Sequence, residues 1–229
     1  MKEEQRTVVN LVSESDEKNN IIISPIGNKD MYLPYFKEEK HFVVHTEYVK
    51  FVKSVEALIR RSKEYKAYIS YLKGTVGLKK CMIFGNVDDD MAPVEMHHGP
   101  IFTLYDYVEI ELISVFKKNK EPVSSFRIAD HVLQNHFDNI IQVVMLSEAA
   151  HLAVHPTKKE VKPEFVDIDS AWGNIVEYIN RYGSYFSYNH VMRLKRYMEE
   201  WQKFKKEPNS KFSVFSKVIN KWGKEAEDI

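Results

Sequence analysis

A chain of 229 residues, 44% of them hydrophobic, is long enough to bury a sizeable core of its own. Its 33 basic and 33 acidic residues cancel, so no overall field draws it to nucleic acid or to a lipid surface, and any such affinity has to come from local patches. Cys81 is the one cysteine, which excludes an internal disulfide, a thiolate zinc site and an iron–sulfur cluster and leaves histidine and carboxylate as the only metal donors. The N-terminus lacks a signal-peptide run, and no segment offers the roughly 18 uninterrupted apolar residues of a membrane span, so the expectation is a soluble, cytoplasmic protein with no membrane partner.

Residues 1 to 20 are polar and acidic and are expected to form a loose arm, with Ile21–Ile23 opening ordered structure as a short strand. From Tyr48 to Leu72, apolar residues fall at 49, 52, 55, 58, 59, 65, 69 and 72, mostly three or four apart, which predicts one long amphipathic helix. The Tyr48–Lys80 stretch carries nine Lys or Arg against two Glu, so its solvent face is basic. Gly74 and Gly77 break the pattern. The apolar density of residues 81–85 predicts a short buried strand, followed by the polar loop at Asp88–Asp90, whose three acids are expected to be solvated rather than ligating. Val94–His98 reads as a strand ended by Gly99-Pro100. Thr103 caps a helix from Leu104 to Phe116, and Ser124 or Ser125 opens another to about His136. His131 and His136 on it are expected at its surface.

The β-branched run Ile140–Leu146 predicts a strand leading directly into a short helix, 148–155, with Ser147 as its cap, Glu148 in its first turn and Pro156 closing it. After a polar linker, three helices are predicted at about 170–182, 187–206 and 211–225. The last two are basic again, with ten Lys or Arg and three Glu from Ser187 to Lys224. Two basic flanks with interleaved Tyr, Phe and Trp are suited to tracking a phosphate backbone, although such faces are also ordinary solvated surface.

Nine histidines occur, and four of them form two local pairs. His151 and His155 are one turn apart on the predicted helix, the spacing that lets two imidazoles converge on one ion. His97 and His98 are adjacent on a strand, where consecutive side chains point to opposite faces, so the pair suits divided labour. One imidazole can coordinate an ion while its neighbour takes a proton from an attacking water near pH 7. Glu95, two residues before His97, shares its face and can support it.

The block Glu95-Met96-His97-His98, then Asp138-Asn139-Ile140-Ile141, then His151-Leu152-Ala153-Val154-His155 resembles the core of the His-Asn-His (HNH, ββα-metal) endonucleases, most closely the colicin and pyocin subgroup. The resemblance covers about 94–156. It implies that His97, His151 and His155 hold one divalent cation, that His98 is the general base, and that Asn139 orients His98 through its side-chain carbonyl. Asn139 lies farther from the final histidine than the family pattern has it, and two helices are inserted between His98 and Asn139. Such nucleases are frequent in bacteriophages and other mobile elements.

The expected architecture is therefore α+β and mostly helical, in three regions. Residues 1–80 hold the acidic arm and the basic helix, 81–156 a small ββα-metal core with a helical insertion, and 163–229 a basic helical region. The expected function is metal-dependent hydrolysis of phosphodiester bonds, in DNA rather than RNA, with magnesium, manganese, zinc or nickel as the ion and the helical arms open to a protein partner or a homodimer. The alternatives are a catalytically silent HNH-like module that binds nucleic acid or protein, and a structural zinc domain.

Overall fold

The computed structural model describes residues 36–119, 122–155, 164–205 and 209–222, so the acidic arm and the strand expected at Ile21–Ile23 lie outside the described residues. The fold is α+β and mostly helical. In chain order it comprises β1 (Phe36–Lys37), α1 (His45–Arg61), α2 (Lys63–Gly74), β2 (Val94–His98), α3 (Leu104–Asn119), β3 (Val123–Ser124), α4 (Ser125–Phe137), β4 (Val143–Ser147), α5 (Glu148–Val154), α6 (Ile175–Tyr182), α7 (Tyr188–Phe204) and α8 (Phe212–Trp222). Among the described residues the strands form two two-stranded antiparallel sheets, β1 with β3 and β2 with β4.

The helix expected from Tyr48 to Leu72 is two helices. Ser62 is extended (φ −66°, ψ 153°), and its hydroxyl donates to the Ile59 carbonyl at 2.8 Å while accepting the Tyr65 N–H at 3.1 Å. One side chain thus ends α1 and caps α2, which the apolar spacing could not reveal because the helical phase resumes after it. Other caps follow the sequence. Thr103 and Asp106 form a reciprocal pair at the start of α3, and Ser124 accepts the Arg127 N–H at the start of α4.

The strand expected at residues 81–85 does not form. Cys81 and Met82 each donate one backbone bond, to Val87 and to Met145, and the segment turns without a ladder. The acidic loop is tied to the protein: Asp89 accepts from Lys73 Nζ at 2.9 Å and from the Val94 N–H, and Asp88 Oδ1 accepts from the N–H groups of Asp90 and Met91. Asn139 follows α4 in the left-handed region (φ 54°), a conformation its short polar side chain tolerates, so β4 begins at Val143 rather than at Ile140.

The main core runs from Phe51, Val55 and Ile59 of α1 through Leu104, Val108 and Leu112 of α3 and Ile128 and Val132 of α4 to Ile179, Leu194 and Phe215 of the C-terminal helices. All three predicted regions contribute to it. A second, small core of Cys81, Val144, Leu146, Ala150 and Val166 lies on the other face of the β2–β4 hairpin, under α5. The hairpin is therefore covered on both sides, and every residue of β4 is buried. Register then decides where each β2 side chain goes. His97 pairs with Val144, whose side chain belongs to the α5 face, and His98 pairs with Val143, whose side chain belongs to the main core.

Candidate metal centre

His97 leaves β2 on the α5 side, and α5 presents His151 in its last turn and His155 at its C-cap. The four-residue offset sets these two one turn apart, and the hairpin delivers the third imidazole from across the sheet. One nitrogen from each ring lies within 4.8 Å of the other two. The Nε2 atoms of His97 and His155 are 2.9 Å apart, and the His97 ring is 4.8 Å from His151 and 4.7 Å from His155 between centroids. Burial, then the neighbouring His155 and His151, push His97 down to about 4, and burial followed by His151 lowers His155. Both rings are thus neutral near pH 7, the form in which imidazole donates a lone pair to a cation. A tetrahedral zinc ion at about 2.1 Å from each nitrogen spaces its ligands by roughly 3.4 Å, so small ring rotations bring this set to coordination geometry. The residues fit a divalent cation.

The centre opens onto a cleft of about 330 Å³. Beyond His97 and His155, its walls carry Arg193, Arg196 and Glu200 of α7, Glu164 and Phe165 from the segment before α6, and Tyr197. Arg193 and Arg196 are three apart, so both project from one face of α7. Sequence reasoning missed this wall. The i, i+3 arginine pair was visible as charge, but nothing in the linear chain brings α7 to the same cleft as β2.

The structure separates His98 from the cation ligands. Its imidazole points into the main core, 3% exposed, with Nε2 2.9 Å from Nε2 of His136 and its ring stacked on Tyr65 at 6.1 Å. Its expected role as general base is corrected on that ground, because the ring is buried and turned toward the main core across the strand from the ligands, although the residue itself borders the cleft. Burial first, then His136, holds it well below the usual histidine range. Asn139 does not orient it either: the Asn139 carbonyl oxygen accepts from the Trp172 indole N–H at 3.2 Å, and its backbone oxygen accepts from Asn174. The partner of His98 is His136. That residue was expected at the helix surface and is instead fully buried, with Nδ1 2.7 Å from the Val132 carbonyl. Glu95 is exposed and shares the face of His97, as strand alternation requires. His131 pairs with Glu111 at 2.8 Å.

A family model described as Bacteriophage G278-like virion protein matches residues 1–227. The chain belongs to that family. No curated protein and no solved structure matches it. The histidine centre is therefore part of a bacteriophage virion-protein chain, and among its described residues no helix is long and apolar enough to cross a membrane.

Proposed function

We propose that this G278-like virion protein carries a single-cation phosphodiesterase centre acting on nucleic acid, DNA before RNA. The observation that carries the proposal is the convergence of His97, His151 and His155 beside a cleft whose lining also includes Arg193 and Arg196. When bound, a divalent ion such as zinc, nickel, manganese or magnesium would supply Lewis-acid stabilisation of charge developing on a phosphodiester. The chain supplies the rest. Arg193 and Arg196 bind and orient the phosphate by charge-assisted hydrogen bonds, the exposed ring of Phe204, stacked on Phe165 at the same cleft, offers base-stacking surface, and Glu164 or Glu200 accepts the proton of the attacking water in place of His98. The HNH resemblance supports the same class of reaction, with the base moved from the strand to the cleft.

Plasmid cleavage tested with manganese or zinc, with and without EDTA, decides this. The wild-type chain is expected to nick or linearise DNA only with metal, His155→Ala to be inactive, and Arg193→Ala/Arg196→Ala to lose activity while retaining metal. Absence of any metal-dependent cleavage by the wild-type chain sinks the proposal.

One observation favours a second reading, a catalytically silent cation centre in the virion: the histidine that the resemblance casts as base is buried away from the ligands. In that case the wild-type chain binds the ion, gains thermal stability from it and leaves plasmid intact.

A further inference from the structure

Three aromatic rings lie in a near-parallel stack at the edge of the histidine cleft. Tyr197 of α7 stacks on Phe165 with ring centroids 5.3 Å apart and planes inclined by 21°, and Phe165 stacks on Phe204, the last residue of α7, at 4.9 Å and 15°. Tyr197 and Phe204 are seven residues apart, about 10 Å along the helix axis, so Phe165 fills the space between them. The inner end is anchored: Tyr197 is buried, and its hydroxyl donates to the carbonyl of Val166, the residue after Phe165, at 2.8 Å. The outer end is open. Phe204 is 68% exposed although one face of its ring lies on Phe165, so the uncovered area includes the other face.

A single exposed apolar side chain is ordinary surface. Its setting is what distinguishes Phe204. Arg193, then Arg196 and Tyr197, then Glu200 and Phe204 succeed one another at three- and four-residue offsets, which puts them on one face of α7, and all five line the cleft beside His97 and His155. Phe204 stands eight residues beyond Arg196, about 12 Å along the axis. The stripe therefore carries cations at one end and a free π-face at the other, the two means by which a nucleic-acid strand is held without regard to its sequence. Glu164 and Glu200 share the lining, so a phosphate is drawn to the arginine end rather than to an even basic field.

The geometry also selects the form of the strand. Inside a duplex each base is covered on both faces by its neighbours, and turning one out sacrifices pairing and stacking. An unpaired base has a face to lay on Phe204. The cleft, about 330 Å³, is at the small end of cavities that hold one small molecule, which admits a nucleotide unit and not the width of a double helix.

We propose that this cleft selects single-stranded nucleic acid, with Arg193 and Arg196 holding a phosphate and the outer face of Phe204 stacking an unpaired base. The inference rests on the nucleic-acid reading of the site and narrows it. Negative supercoiling favours strand opening, so a plasmid still presents such a strand.

Fluorescence anisotropy in EDTA, with a labelled DNA strand of about 12 nucleotides used alone or annealed to its complement, measures binding apart from cleavage. The full wild-type chain is expected to bind the single strand more tightly than the duplex by roughly 5- to 100-fold, the worth of one stacked base. Phe204→Ala is expected to lose that preference and Phe204→Trp to keep it, while Arg193→Ala/Arg196→Ala weakens binding of both forms; circular dichroism checks that each variant retains the fold. Equal affinity for strand and duplex in the wild-type chain overturns the proposal, as does a folded Phe204→Ala chain with unchanged preference, unchanged affinity in the folded arginine double variant, or absence of binding to either form. The same oligonucleotides incubated with manganese separate this inference from the phosphodiesterase reading. A single strand bound preferentially and left uncut keeps this proposal and removes the phosphodiesterase. Metal-dependent cutting of strand and duplex at equal rates, with equal binding, keeps the phosphodiesterase and removes this proposal.

Discussion

The His98 imidazole is packed between aromatic rings, stacked on Tyr65 and 6.2 Å from Tyr107, with His136 as its polar partner among the described residues. The Val132 carbonyl can only accept, so His136 Nδ1 carries its proton, His136 Nε2 accepts, and His98 Nε2 donates to it. Both rings are held neutral as a unit of the core. His98→Ala is therefore expected to destabilise the protein by roughly 3–5 kcal/mol, from the void and from the partner left unsatisfied, while leaving cation affinity at His97, His151 and His155 close to wild type. Denaturant unfolding and metal titration of the same variant check this. A His98→Ala chain of unchanged stability contradicts the core assignment. The same pair makes stability depend on pH. Burial pushes His136 down to about 4 in the fold, while the unfolded chain takes up the proton near 6.5. Its contribution is fully present above pH 6.5 and is lost as pH falls toward 4, amounting to about 3 kcal/mol. Unfolding free energies measured at pH 7.0 and 4.5 should differ less in His136→Gln than in wild type. An equal pH dependence in the two chains removes His136 as the cause.

Among elements, the β2–β4 hairpin and α5 carry the site, and much of their layout was legible. The β-branched run, the Ser147-Glu148 start and the four-residue histidine spacing located β4 and α5 to within a few residues, because these patterns are local. The opposite faces of His97 and His98 followed from strand alternation. Which face is buried did not, since it depends on α1, α3 and α4 closing over Val143. The partner His136 was equally hidden: it is a helix residue, and only the packing of α4 on the hairpin turns it inward. The Glu164, Arg193, Arg196 and Glu200 wall comes from segments far along the chain, and no local pattern links them to His97. One element-level constraint is strict. Gly173 has φ 105°, and a Cβ there would lie 2.1 Å from the Ile141 carbonyl oxygen, beside the Val143–Trp172 bridge that borders β4. Gly173→Ala combines a disfavoured backbone conformation, about 1–3 kcal/mol, with a clash against main chain that cannot rotate away. It should lower the melting temperature by more than any solvent-face alanine substitution on α7. Unfolding followed by circular dichroism decides it, and a melting temperature within a degree or so of wild type counts against this close approach.

For the whole molecule, the question is how far folding depends on the ion. The main core joins α1, α3, α4 and the C-terminal helices without any residue of α5, and the three ligands hang on a small satellite core. An EDTA-treated chain should therefore keep its helical circular dichroism, unlike a domain whose fold is built around its metal. Binding should nevertheless stabilise it. His97 is 54 residues before His151 in the chain, so the unfolded ensemble does not hold the set together, and the ion favours the native state. At a free zinc concentration one hundred times the dissociation constant, the gain is about 2.7 kcal/mol, which for a chain of this size is a rise in melting temperature of roughly 5–10 °C. The rise should shrink markedly in His155→Ala, which breaks the histidine set. Collapse of the helical signal in EDTA would make the ion a determinant of the fold and the two cores a poor account of its stability. A zinc-induced rise as large in His155→Ala as in wild type would place the stabilising ion away from β2 and α5.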